Sequence, residues 1–167
     1  MIGVDYVRGM ARYNRWQNAN LYEAADRLSD GERHRDRGAF FGSIHGTLSH
    51  LVWADRLWMA RFCDSEAPPV GIAFSPALHP DWRDLKRARS EVDDGILRWS
   101  ESLDAGWLEG ELRYFSQSLG RDNVGPRGPF VVHFFNHQTH HRGQVHCLLT
   151  QAGASPRDDT DLVMMPR

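Results

Sequence analysis

A chain of 167 residues, 41% hydrophobic and 25% charged, suits a single globular domain with one full core. Its formal net charge of -2 argues against bulk attraction to nucleic acid or to an anionic membrane surface. No stretch approaches the roughly 18 apolar residues of a membrane span, and the opening MIGVDYVRGMARYNRW lacks the apolar centre of a secretory signal, so a cytoplasmic protein is expected. Two cysteines, Cys63 and Cys147, are too few for a disulfide framework and read as free, partly buried thiols. The basic charge is nearly all arginine, Lys86 being the one lysine, which leaves no lysine cluster.

The first amphipathic segment runs from about Asp5 to Leu28. Met10, Leu21, Ala25 and Leu28 share one arc, Asn14 and Asn18 sit inside that arc, and Trp16 points away from it. The polar SDGERHRDRG, residues 29–38, reads as a loop that carries His34. A second segment runs from about Ser43 to Phe62, with Ser43 as its N-cap and Leu51, Ala54, Leu57, Trp58 and His50 on its buried side. The two prolines of CDSEAPPVG must end it. The third, from about Asp81 to Leu103, places Leu85, Ala88, Val92, Ile96, Trp99 and Leu103 at helical steps, with Asp81 at the positive end of its dipole. Residues 105–128 lose the helical period, and ELRYFSQSLG reads as a short hairpin. A fourth segment spans about Pro129 to Ala152, Pro129 suiting a first helical position and Gly153 the residue past the end. In the tail, Leu162 and Val163 are expected to cap the bundle.

The fold class is therefore all-α: one domain, residues 1–167, built as a four-helix bundle. About 24 residues separate the third and fourth segments, which permits a crossover and leaves the order of the helices open.

Chemistry concentrates in HFFNHQTHHRGQVH, residues 133–146, which holds five of the nine histidines. At about 100° per residue, His137 and His141 share a face with Phe130, Phe134, Val145 and Leu148. His133 and His140 fall at the edge of that face and His146 on the opposite side. A lone buried histidine is commonly a hydrogen-bonded core residue, but two on one apolar stripe both need partners, and a metal ion satisfies both. His50, from another apolar face, supplies a third nitrogen. The segment HQTHH has no glutamate after His137, as a zincin-type protease requires, and no Cys–x–x–Cys pair is present. Asp55 turns to a different part of its helix from His50, so a two-histidine, one-carboxylate iron site lacks its carboxylate. Three histidines with an open position remain, the layout of a catalytic metal site. Gln144, Asn14 and Asn18 lie on inward faces, where they either serve this site or join helices by hydrogen bonds. Arg142 lies off the inward stripe and reads as a helix-surface or interhelical ion-pair residue.

HFFNHQTHHRGQVHCLLTQAG closely resembles the last helix of the DinB family of bacterial stress-associated proteins. SIHGTLSHLVWADRLWMARF resembles that family's second helix and YNRWQNANLYEAADRLS its first, so the resemblance spans nearly the whole chain in order. It implies an up-down-down-up four-helix bundle, often a homodimer, with one divalent metal held by His50, His137 and His141. Zinc or nickel is expected first; iron, cobalt, copper and manganese suit histidine ligands as well. Some members of the wider superfamily are S-transferases that use bacillithiol, mycothiol or glutathione. The expected function is a metal-dependent enzyme acting on a small-molecule substrate, a low-molecular-weight-thiol S-transferase or related detoxifying activity. The alternative is a non-catalytic metal or small-ligand binding protein with a stress-response role. A DNA-repair role is disfavoured by the missing basic stripe, and no membrane partner is expected.

Overall fold

The computed structural model describes residues 2–63, 65–117 and 119–166. Four long helices form its bundle: α1 (Val4–Asp26), α3 (Ile44–Cys63), α4 (Trp82–Ser102) and α6 (Arg127–Gln151). The segment expected to be a loop contains a short helix, α2 (Asp30–His34), capped by Ser29. A 3₁₀ turn over Ile72–Ala77 follows α3, and a second covers Leu162–Met164. Between α4 and α6 lie α5 (Ala105–Glu109) and an antiparallel hairpin, β1 (Glu111–Ser116) with β2 (Arg121–Pro126). The hairpin expected within ELRYFSQSLG thus has its first strand there and its second further on, in RDNVGP, where Val124 alone supplies the apolar alternation. Among the described residues no helix is long and apolar enough to cross a membrane.

Local chemistry sets the helix ends. Ser43 Oγ accepts from the Gly46 amide at 3.0 Å, and Asp81 Oδ1 accepts from the amides of Arg83 and Asp84 at 2.8 and 3.1 Å. These bonds satisfy amides that have no intrahelical partner. Gly153, with φ of 75°, turns the chain out of α6. Pro129 is the third residue of α6, not the first; it remains in the first turn, where a missing amide breaks no intrahelical bond.

In the bundle, α1 packs on α4 and α6, and α3 packs on the same two helices. One apolar layer joins Leu21 and Ala25, Ile44 and Leu51, Leu85, and Val145 and Leu149. The other joins Val7 and Ala11, Trp58 and Phe62, Ile96 and Trp99, and Val131 and Phe134. Sandwiched between them on all four helices is a buried polar layer. Arg89 Nη1 lies 2.7 Å from Asp55 Oδ2, and Arg89 Nη2 lies 2.8 Å from Asp93 Oδ1. Asn18 donates to Asp93 and Gln138 donates to Asp55, each at 2.9 Å. Arg142, expected as a helix-surface or interhelical ion-pair residue, is buried and joins α6 to α1 by donating to Asn14 Oδ1. Its burial lowers its pKa to about 10. Asn14 and Asn18 therefore tie helices together within this layer through Asp93 and Arg142.

The C-terminal tail is held by buried Ala154 at its start and then by polar contacts with α1. Tyr13 Oη donates to the Thr160 carbonyl at 2.5 Å and Gln17 to the Asp159 carbonyl at 2.8 Å. Leu162 and Val163, expected to cap the bundle, are exposed. Cys63 and Cys147 are also exposed, not partly buried: each lies on the solvent arc of its helix.

Candidate metal centre

His50 of α3 and His137 and His141 of α6 meet near one end of the polar layer. One ring nitrogen from each lies within 4.8 Å of those of the other two. His50 Nε2 and His137 Nε2 are 3.4 Å apart. Two nitrogens bound to one tetrahedral zinc at about 2.0–2.1 Å would lie roughly 3.3 Å apart. The first pair already has that separation.

The second nitrogens fix which atoms face the cluster. Ser75 Oγ donates to the Ile72 carbonyl at 2.7 Å, so its lone pair accepts from His50 Nδ1 at 2.9 Å. Gln144 Nε2 lies 3.3 Å from His140 Nε2, which leaves Gln144 Oε1 to accept from His141 Nδ1 at 2.7 Å. Both Nδ1 atoms carry protons in this network, and both Nε2 lone pairs turn inward. With its own proton on Nδ1, His137 presents a lone pair to His50 Nε2 at 3.4 Å, and a cation between the two nitrogens would engage both. A proton is disfavoured there: burial, then the neighbouring imidazoles, push His50 and His137 down to about 3. Burial lowers His141 as well. The donor set fits a metal ion.

Two features beyond these residues shape the site. The Phe41 ring stacks on His50 at 3.7 Å between centroids. It gets there because Gly46 has no side chain; a Cβ at that position would collide with the Phe41 carbonyl oxygen. Trp53 also stacks near the imidazole, its ring centroid 5.6 Å away. Sequence reasoning missed Ser75 and Phe41, since both sit in connections outside any periodic segment. Gln144 was legible as an inward polar residue, and its role is to orient His141.

The other histidines stay out of the cluster. His133 packs on Trp58 at 5.2 Å, and His140 is exposed. His34, expected in a loop, lies in α2 and stacks on His45 at 4.0 Å. His146 is half-buried on another side of α6. Asp55 is buried in its ion pair with Arg89. Among the described residues no fourth histidine, cysteine or carboxylate completes the cluster.

The lowered histidines have a consequence for stability. Above the ordinary imidazole value of 6.5, folded and unfolded chains bind the same protons there. Below it the unfolded chain takes up protons that the buried rings refuse, so stability is lost as pH falls from 6.5 toward about 3. The melting temperature of metal-free protein should drop over that window. A melting temperature unchanged between about pH 7 and about pH 4.5 contradicts the burial of neutral imidazoles.

Comparison with known proteins places the whole fold in context. Residues 4–165 match the DinB family. The chain is also 27% identical over 165 residues to Protein DinB of Bacillus subtilis (strain 168), an alignment covering 92% of this chain and 91% of that protein. With the match running through all four long helices and both histidine-bearing segments, the chain belongs to the DinB family.

Proposed function

We propose that His50, His137 and His141 hold one divalent metal ion, zinc or nickel first, and that the protein is a metal-dependent S-transferase for a low-molecular-weight thiol. The observation that carries the metal is the convergence of one ring nitrogen from each of the three histidines, with the outer nitrogens of His50 and His141 already engaged. An ion bound there supplies a positive charge that lowers the pKa of a coordinated thiol, favouring the nucleophilic thiolate. The chain's own residues do the rest. Ser75 and Gln144 orient His50 and His141, and Phe41 and Trp53 shield the His50 ring from water. Neither cysteine belongs to the cluster, so the sulfur nucleophile is assigned to the co-substrate. The helices are read as an up-down-down-up bundle. In support, the C-terminal half of α1 and of α6 shares a core layer with the N-terminal half of α3 and of α4. A homodimer in the cytoplasm belongs to the same proposal.

The rival reading is a non-catalytic metal or small-ligand binding protein with a stress-response role, which a closed site would favour. The three-ligand cluster, lacking a fourth protein ligand among the described residues, favours the open one. The test uses protein purified without a nickel column, its metal content measured directly. Bacillithiol, mycothiol and glutathione are each assayed against chlorodinitrobenzene and an epoxide, before and after chelation. Turnover with at least one thiol, lost on chelation and restored by the metal found, is expected. Equal rates with and without metal overturn the catalytic reading and put the binding protein in front.

A further inference from the structure

A cavity of about 520 Å³ opens between α3, β1 and the segment leading to the Ile72–Ala77 turn. Its walls are largely apolar, formed by Trp53, Leu57, Ile72, Tyr114 and Phe115, with Arg61 among them. Ile72 and Phe115 are 55% and 60% exposed, so this apolar surface faces solvent. The volume falls within the range that holds small organic ligands, roughly 300–1,000 Å³.

Arg61 sets the chemistry. Its guanidinium lies 3.9 Å from the Tyr114 ring centroid and 4.5 Å from that of Trp58. Contact with two aromatic faces holds the group in place and leaves its N–H edge for a planar partner. No carboxylate among the described residues pairs with it, whereas Arg15, Arg37, Arg87 and Arg113 each have one. A half-buried, fixed guanidinium with no carboxylate partner among the described residues, at an apolar cavity, is complementary to a carboxylate attached to an apolar body.

We infer that this cavity binds a small-molecule carboxylate with an apolar or aromatic body, its carboxylate on Arg61 and its body against Trp53, Leu57 and Tyr114. The site is separate from the three histidines and stands whether or not they bind metal. The two are neighbours all the same. Trp53 lies between the cavity and His50, and the Ile72 carbonyl anchors the serine that orients His50. Arg61 lies eleven residues beyond His50 on α3, roughly 20° around the helix and about 16 Å along it. Helical side chains lean toward the N-terminus, which here is toward His50. A ligand anchored at Arg61 therefore extends along the helix face that leads to the histidines.

Calorimetric titration of the full chain with 4-phenylbutyrate and with its amide tests this. Saturable binding of one acid per chain is expected, with the amide bound at least about tenfold more weakly. Arg61→Gln should bring the acid down to the affinity of the amide with the circular dichroism spectrum unchanged. Ala60→Trp, which fills the cavity, should remove binding of both. Equal affinity for acid and amide, an Arg61→Gln variant that binds like the parent, or no saturable binding of the acid up to about 10 mM would each overturn the inference. So would a peptide with a free C-terminal phenylalanine binding about tenfold more tightly than phenylbutyrate, which would assign the cavity to a chain terminus.

Discussion

His137→Ala and His141→Ala are each expected to release the metal and abolish thiol transfer while leaving the helical circular dichroism intact. Removing either imidazole leaves two nitrogens of three, and no other donor among the described residues stands by to replace it. Losing an outer partner of a ligand weakens metal binding about 10–100-fold, so Ser75→Ala should fall in that range and the ligand variants should exceed it. The bundle should survive, because α6 also buries Phe134, Phe135, Val145, Leu148 and Leu149. A zinc finger, lacking such a core, unfolds without its ion. His34→Ala and His146→Ala are the controls, and their metal stoichiometry should equal that of the parent. Full metal content in the His137 or His141 variant, or loss of metal in either control, would show that the site has been misassigned.

The largest loss of stability is expected at Arg89. It lies between Asp55 and Asp93 at 2.7 and 2.8 Å and is almost wholly buried. Burial alone would disfavour its charge, but the two carboxylates more than offset that and hold it protonated. Arg89→Met leaves those carboxylates without their direct cationic partner, since Arg142, the other guanidinium of this layer, is bonded to Asn14. Breaking a buried pair in this way costs about 3–5 kcal/mol. In a chain of this size that lowers the melting temperature by roughly 6–20 °C. Adding Asp55→Asn and Asp93→Asn to the same variant should recover much of the loss, since the uncompensated charge is then gone. A single variant melting within about 2 °C of the parent would mean that water or another cation reaches the carboxylates.

Helical period alone located the four long helices, because each has an apolar arc that the three- and four-residue steps display. The same period put His137 and His141 together, since both ride the arc that faces α3. It failed on Arg142, and the reason is geometric. Helix α6 packs against both α1 and α3, so its buried surface is wider than one stripe and includes Arg142 beside Gln138 and His141. A wheel drawn for one helix cannot show that a second neighbour covers its flank. The polar layer was hidden for a related reason: Asp55, Arg89, Asp93 and Arg142 each look solvent-bound alone, and only their mutual contact makes burial tolerable. Ser75 and Phe41 were out of reach because nothing periodic places a residue in a connection. The small helices α2 and α5 were missed because five residues are too short to show a repeat.

The spacing of the candidate ligands also orders events during biosynthesis. His50 and His137 are separated by 87 positions in the chain, and the second lies in the last long helix. No partial product ending before α6 contains more than one of the three imidazoles. The centre therefore cannot assemble on the ribosome in step with the first three long helices; it awaits the final segment and its docking against α3. An ion bound at that stage binds the folded chain and not the unfolded one, so it stabilises by mass action, to an extent set by its free concentration relative to its dissociation constant. Metal supply would then act on finished molecules, retarding their unfolding and turnover, with little influence on how quickly the chain first folds.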